Sequence, residues 1–445
     1  MRHYSRREFL RRATLAGSGT AFAAPWIARR AFAKSPSDVV MHASIGAGGQ
    51  AQADLSQLVR HPNLRLVAVA DVDLNQAAKL KERFPDLRIY QDWRLLLEQE
   101  KDLTSLNVST PDHMHAPIAM SAMQLGKHVY VQKPLAHDIY EVRQLTRFAA
   151  KKKLVTQMGI QIHSSSDYRR AVRLIQDGVI GKVREVHTWC GKGWGDLTAL
   201  PDRRDTPPAG FDWDLWLGVA AARPFIGDGY YHPANWRKRL DFGTGTFGDM
   251  GCHILDPVFS ALQLTAPLTV RSEGKVPNQW NWATDAIVHY LFPGTRHTEG
   301  RTIKVSWYDG EASPPQEVLA LIGEVPRPGC GSIFIGAQGV MLLPHINRPQ
   351  LFPVAQFEAL PMPKVDDGNH YTQFVETVLG RSQTGANFNY AGPLTEAVLL
   401  GSVACRFPHA TMEWDASRLR FKNLAEANAY LRRTYRPGWA VKGLS

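Results

Sequence analysis

Val39-Val40-Met41-His42-Ala43-Ser44-Ile45-Gly46-Ala47-Gly48-Gly49-Gln50-Ala51 is an apolar run that breaks into a glycine-rich turn and leads into Ala53-Asp54-Leu55-Ser56-Gln57-Leu58-Val59. The pattern predicts strand, tight turn and helix. Gly46 permits the sharp turn, Gly48 lets the backbone approach a pyrophosphate, and Ala51 stands where a third small residue lets helix and strand pack closely. Gly49 and Gln50 lie between them and join the candidate phosphate-binding set. The free N–H groups and positive dipole end of the helix then face the phosphates. A second apolar run, Leu64-Arg65-Leu66-Val67-Ala68-Val69-Ala70, ends in Asp71. That carboxylate lies twenty residues past Ala51, where a dinucleotide site has its acceptor for the adenosine ribose hydroxyls. Asp71 and Asp73 would also repel a 2′-phosphate, which favours NAD over NADP.

Working outward from this unit, the apolar runs alternate with helical patterns. Helices are expected over Leu74–Phe84, Trp93–Gln99, Pro117–Leu125 and Asp138–Lys151, and strands over Arg88–Tyr90, Ser105–Val108, His128–Val131 and Val155–Gly159. Such alternation predicts a parallel sheet whose ligands bind at the carboxyl ends of its strands. Ser109-Thr110-Pro111-Asp112-His113-Met114-His115 and Gln132-Lys133-Pro134 follow two of those ends. Ser109, Thr110, Pro111, His113, His115, Gln132, Lys133 and Gln161 therefore join the cofactor candidates. A metal at Asp112, His113 and His115 is not expected, because no further ligand cluster accompanies them.

Beyond Gly159 the pattern changes. A helix over Ser166–Gln176 and a strand over Val183–Trp189 precede an irregular stretch, and Trp189, Trp194, Trp213, Trp216 and Trp236 crowd into this region. Their faces suit a sugar-lined cleft or simple core packing. A helix is expected from Gly248 to about Leu262, with Asp249 and His253 four apart on one face. Strand-like runs at Leu268–Ser272, Ala286–Phe292, Thr302–Tyr308, Ser332–Ile335 and Val340–Leu343 carry no intervening helices, which points to a largely antiparallel sheet. Segments 312–329 and 344–366 read as loops, and helices His370–Leu379 and Pro393–Cys405 close the chain. The domain reading is a signal at 1–33, a Rossmann domain at 34–160 and a substrate-binding α/β domain at 161–445.

The formal net charge is +11 over 445 residues, yet seven arginines against Glu8 within residues 1–33 leave only about +5 on the remainder. That balance, without a basic stripe interleaved with aromatics, argues against nucleic acid. Ser5-Arg6-Arg7-Glu8-Phe9-Leu10-Arg11 matches a twin-arginine export signal, followed by a weakly apolar stretch from Ala13 to Ala28 and Ala31-Phe32-Ala33 as a cleavage site. The stretch is too short and glycine-rich for a membrane anchor. Export of the folded chain to the periplasm by the twin-arginine machinery is expected, and there a cofactor would be held tightly. Cys190, Cys252, Cys330 and Cys405 show no metal-ligand spacing. Buried free thiols are expected; in an oxidising compartment a disulfide is allowed, and three pairings stay open.

Taken together these residues resemble the glucose-fructose oxidoreductase and inositol dehydrogenase family, Gfo/Idh/MocA. The likeness runs through the Gly46 turn, Ser109-Thr110-Pro111, Lys133-Pro134, Asp249 with His253, and the region from Asn387 to Leu400. It is strongest to exported bacterial members carrying segments such as Trp213-Asp214-Leu215-Trp216-Leu217-Gly218, Asn235-Trp236-Arg237 and Gly248-Asp249-Met250-Gly251-Cys252-His253. The resemblance implies a Rossmann domain and an open-sheet α/β domain, NAD(P), a sugar, polyol or glycoside substrate, and a homo-oligomer. It makes Lys133 the catalytic lysine and Asp249 and His253 the catalytic pair, with Lys133, Trp236, Arg237, Asp249 and His253 touching substrate. Where the family has Glu before that lysine, this chain has Gln132.

Oxidising a secondary alcohol needs a base to take the hydroxyl proton as the hydride leaves. His253 is the expected base and Lys133 the polarising group and proton relay, with the exchange of these two roles kept as the alternative; Asp249 is a hydroxyl ligand or orienter of the imidazole. Two alternatives accompany the oxidoreductase: a redox-neutral glycosidase working by transient oxidation and elimination, and a non-catalytic carbohydrate-binding protein with a structural dinucleotide.

Overall fold

Six short apolar strands in the first part of the chain pair side by side, all parallel. The computed structural model describes residues 38–445, so the export motif and cleavage site lie outside the described residues. The strands are β1 (Val40–Ile45), β2 (Leu64–Ala70), β3 (Arg88–Tyr90), β4 (Ser105–Val108), β5 (His128–Val131) and β6 (Thr156–Met158). Their order is β3-β2-β1-β4-β5-β6, that of a doubly wound dinucleotide-binding sheet. The connecting helices are α1 (Gln50–Leu58), α2 (Leu74–Arg83), α3 (Trp93–Gln99), α4 (His115–Gln124) and α5 (Ile139–Lys152). Leu106, Val108, Val129 and Val131 are completely buried, as strands covered on both faces require. The order reverses at β1 and β4, which opens a crevice above their carboxyl ends.

After α6 (Ser166–Gln176) the chain builds a nine-stranded sheet from β7 (Val183–Cys190), β8 (Thr269–Glu273), β9 (Ile287–Pro293), β10 (Thr302–Asp309), β11 (Cys330–Gly336), β12 (Val340–Pro344), β13 (Gln350–Phe352), β14 (Met412–Asp415) and β15 (Arg420–Phe421). The order is β13-β12-β11-β7-β10-β9-β8-β14-β15, and only β7 and β10 run parallel. The expectation of a Rossmann domain followed by an α/β domain with a mostly antiparallel sheet is met. The segments read as loops hold short helices at Gln316–Leu319 and Val354–Phe357 as well as β13, and the small β14–β15 hairpin was not foreseen.

The helix expected over Gly248–Leu262 is two helices, α7 (Gly245–Ile254) and α8 (Asp256–Leu262), which meet at Leu255. Pro257 lies in the first turn of α8, where its missing N–H costs nothing but ends the preceding ladder. The two closing helices are α9 (His370–Val378) and α10 (Phe388–Ala404). The latter starts before Pro393 because Asn387 caps it, its side chain accepting from the Asn389 N–H at 3.1 Å. α9 packs on α1, and α10 lies along α5. The far end of the chain thus completes the covering of the first sheet. No helix among the described residues is long and apolar enough to cross a membrane.

Candidate functional site

The glycine turn forms one wall of a cleft of about 380 Å³ above the carboxyl ends of β1, β2, β4 and β5. Gly46 has φ +105°, and a Cβ there would stand 2.7 Å from the Ser109 carbonyl oxygen, so only glycine fits this approach of the two turns. Gly49, at φ +51°, precedes α1, faces open space and supplies no side-chain cap. The N-terminus of the helix is therefore free to meet a phosphate. Asp71 closes the same wall, accepting from the Ala47 N–H at 2.7 Å and the Asp73 N–H at 2.9 Å. Burial pushes its carboxyl up to about 6, against the pull of those backbone N–H groups. Glycine turn, uncapped helix and carboxylate together fit a dinucleotide.

Under the turn lies Asp54, fully buried on α1. It accepts from Gln50 Nε2 at 2.9 Å, Ser109 Oγ at 2.8 Å, Gln132 Nε2 at 2.9 and 3.0 Å, and Tyr371 Oη at 2.9 Å. Burial raises its carboxyl, and the four donors oppose that rise. One carboxylate thereby ties α1, the turn after β4, the turn after β5 and α9 into a single cradle. Gln132, the position where the resemblance leads one to expect Glu, turns its amide to Asp54. A glutamate there would set two carboxylates against each other. Gln132→Glu is expected to lower stability by about 3 kcal/mol at pH 8. Such a pair takes up a proton on folding, so its folded pKa lies above the unfolded one and stability falls as pH rises through it. Urea melts should therefore show the deficit shrinking toward pH 5; a deficit independent of pH would locate the damage elsewhere.

At the far end of the cleft Lys133, 14% exposed, donates through Nζ to Asp249 Oδ1 at 2.5 Å and to the Asp249 carbonyl at 2.9 Å. Asp249 also accepts from Trp194 Nε1 at 2.9 Å, Arg237 Nε at 3.4 Å and Lys192 Nζ at 3.5 Å. Burial alone would raise this carboxyl, but Lys133, Arg237 and Lys192 outweigh it and hold the group well below the usual carboxylate range. Arg237 stacks over Trp236 at 4.3 Å and lies 5.5 Å from the Trp194 ring centre. An ionised carboxylate thus aligns an ammonium, a guanidinium and an indole N–H at one point.

His253, one turn further along α7, is buried, and its Nδ1 has no partner. Burial first, then the nearby Lys133 and His345, lower its pKa well below the ordinary value, so the ring is a neutral imidazole at pH 7. Its ring centre lies 5.6 Å from that of His345, and the two line a small cavity of about 20 Å³, room for one water.

Most of the sequence candidates meet in this cleft: Gly46, Gly48, Gly49, Gln50, Asp71, Ser109, Thr110, Pro111, Gln132, Lys133, Trp236 and Arg237 all line it. Asp249 joins them through Lys133, and Ala51 is buried beneath the turn. Four others do not line the cleft, and one of them is the expected base His253, which opens instead onto the separate small cavity it shares with His345. His113 is buried behind it, its Nε2 3.0 Å from the Trp216 carbonyl and its ring against Phe242. His115 bridges the Pro134 carbonyl at 2.7 Å and the Thr110 carbonyl at 2.9 Å, bracing the two turns from below. Gln161 sits in a 3₁₀ turn over Gln161–Ser164, away from the lining. Asp249 makes no hydrogen bond to His253, because its oxygens are spent on Lys133, Trp194, Arg237 and Lys192. Asp54, Lys192, Tyr371 and His345 were not foreseen. Lys192 alone carried a signal, standing just past the end of a strand. Of the clustered tryptophans, Trp189 is fully buried in the second sheet, and Trp213 stacks on Trp216 at 4.8 Å.

Comparison with known proteins gives a consistent result. A family model described as oxidoreductase family, NAD-binding Rossmann fold matches residues 41–160, and one described as oxidoreductase family, C-terminal alpha/beta domain matches 173–312. The two spans take in more than half of the chain. Levoglucosan dehydrogenase of Pseudarthrobacter phenanthrenivorans is 24% identical over 195 residues, 44% of this chain and 41% of that protein. A glycosyl hydrolase family 109 protein of Saccharopolyspora erythraea is 29% identical over 206 residues, 40% of this chain and 44% of that one. The chain thus spans less than half the length of these curated relatives. The WlbA dehydrogenase of Bordetella pertussis, solved with NADH and UDP-GlcNAcA, superposes with a TM-score of 0.60 at 14% identity, covering 85% of this chain and 98% of that one.

Proposed function

Because the chain belongs to the Gfo/Idh/MocA oxidoreductase family, we propose that it oxidises or reduces a secondary hydroxyl of a sugar, polyol or glycoside with NAD as its tightly held cofactor. The observation that carries this reading is the Lys133 ammonium, fixed by Asp249 at one end of the cleft that the glycine turn lines. NAD, when bound, supplies the hydride acceptor or donor. Gly46, Gly48, Gly49 and Gln50 would cradle its phosphates, Asp71 its ribose hydroxyls, and the turns at Ser109–Pro111 and Gln132 its remaining length. Lys133 donates a hydrogen bond to the reacting oxygen and so stabilises the negative charge that develops there. His253, neutral and buried, takes the hydroxyl proton in the oxidising direction and returns it in the other. Arg237 and Trp236 hold the sugar from the cleft wall.

The glycosyl hydrolase family 109 relatives favour a second reading of the same site. Transient oxidation of a sugar hydroxyl acidifies the adjacent C–H, the aglycone is eliminated, water adds to the resulting double bond at the carbon it left, and reduction of the ketone follows, for a net glycoside hydrolysis. Sugar released without accumulation of reduced cofactor, with solvent deuterium on the carbon next to the oxidised one, selects this route. The proposal also includes twin-arginine export to the periplasm and a homo-oligomeric state, for which the sequence motif and the family resemblance are the support.

The test is mass spectrometry of nucleotide released on denaturing the purified protein. Bound NAD is expected. An apoprotein with no affinity for either dinucleotide would overturn the reading, and NADP in its place would overturn the role given to Asp71.

A further inference from the structure

Four cysteines offer six possible single disulfides, and the fold singles out one. Cys190 closes β7, Cys330 opens β11, and the two stand directly opposite each other in the antiparallel ladder. The Gly191 N–H donates to the Gly329 carbonyl at 2.8 Å, which makes Cys190 and Cys330 a non-hydrogen-bonded pair. In that register facing Cα atoms approach to about 4.5 Å and their side chains lean together. The separation falls within the roughly 4.4–6.8 Å that a disulfide spans. Both side chains lie on the same face of the sheet: Cys190 is part of the main core, and Cys330, partly exposed, packs against it. The other two cysteines have no such neighbour. Cys252 sits with its Sγ 4.0 Å from Thr395 Oγ1, and Cys405 follows α10; burial pushes both thiols up to about 12.

All four cysteines are thiols in this structure. We propose that Cys190 and Cys330 form an intramolecular disulfide when the protein meets a disulfide oxidant. Cys330, the more accessible of the two, attacks one sulfur of the oxidant as a thiolate, forms a mixed disulfide and expels the first thiolate. Cys190 then releases its proton to solvent and attacks the Cys330 sulfur, expelling the second. The two cysteines lose two electrons and two protons, and the oxidant gains them as two thiols. The hydrogen bond the two thiols share, then the Gly191 N–H and the charge of Lys192, lower the Cys330 thiol against its burial, while the same hydrogen bond and burial raise that of Cys190, which makes Cys330 the first to attack.

The bond would join two strand ends that reach the candidate site. Cys190 is two residues from Lys192, and the Cys330 carbonyl accepts from the His345 N–H at 2.9 Å. The inference concerns thiols and strand register alone, so it stands or falls apart from the proposed reaction. The full chain is incubated with oxidised glutathione, denatured with iodoacetamide to block remaining thiols, digested and weighed. One peptide pair joined through Cys190 and Cys330 is expected, with Cys252 and Cys405 alkylated. The melting temperature of the oxidised protein should fall by several degrees on adding a reductant, and Cys330→Ser should show no such fall. Alkylation of both Cys190 and Cys330, glutathione retained on Cys330 without an internal link, or a link through Cys252 or Cys405 would each overturn the proposal.

Discussion

Lys133→Ala is expected to purify with its dinucleotide and to turn over substrate about a thousandfold more slowly than the parent protein. A positioned acid–base or polarising group contributes roughly 10²–10⁴ in rate, and no neighbouring side chain can take over its position. Lys192 reaches the other carboxylate oxygen of Asp249 at 3.5 Å and Arg237 the same oxygen as Lys133 at 3.4 Å, but neither donates to the Asp249 carbonyl as Lys133 does. Those same two cations, with Trp194, keep Asp249 ionised and paired after the substitution, so the loss in stability should stay near 1 kcal/mol. The glycine turn and Asp71 are untouched, so nucleotide content should match the parent. Turnover under saturating substrate and mass spectrometry of released nucleotide check both halves. Turnover within threefold of the parent would remove Lys133 from the mechanism.

Asp249→Asn strikes the same cluster from the other side, and the expected loss is about a hundredfold in kcat/KM together with about 3 kcal/mol of stability at pH 7. The carboxylate is 6% exposed and is the shared counterion of Lys133, Arg237 and Lys192. An asparagine amide offers one carbonyl acceptor and turns an NH₂ donor toward the remaining cations, which then repel one another. The pH dependence follows from the depressed carboxyl. A carboxyl whose folded pKa lies below its unfolded value contributes stability in full above about pH 4 and loses it as pH falls through the folded pKa. Parent and variant should therefore differ by a constant amount from pH 5 to 8 and converge below about pH 4. A gap that persists unchanged into acid would show that shape, not charge, is what the asparagine loses.

The cofactor half was legible because its signals are local. An apolar run, Gly46, Gly48 and Ala51, and an acid at Asp71 follow one another within one strand–helix–strand unit, and backbone geometry leaves few alternatives. Lys133 and Asp249 were legible as site residues from the motifs they sit in. Their partnership was not. It joins a turn after β5 to a helix more than a hundred residues later, and no spacing rule encodes such a pairing. The same holds for Asp54, which in sequence is a polar residue four positions after Gln50, and for Tyr371, which reaches it from α9. His113 and His115 show the opposite failure: a strand-end address was read correctly, but side-chain direction sends both rings behind the turn. Pro393 misled for a simpler reason: proline is expected to open a helix, but α10 begins five residues earlier at Phe388 under its Asn387 cap and carries the proline inside at the cost of a ladder hydrogen bond.

The Tyr371 hydroxyl on Asp54 and the packing of α9 against α1 mean that the nucleotide cradle borrows a wall from a segment more than three hundred residues downstream of the glycine turn. On a ribosome, β1 to β6 emerge long before that wall exists. A dinucleotide bound in this cradle would therefore meet its complete wall only on the finished polypeptide.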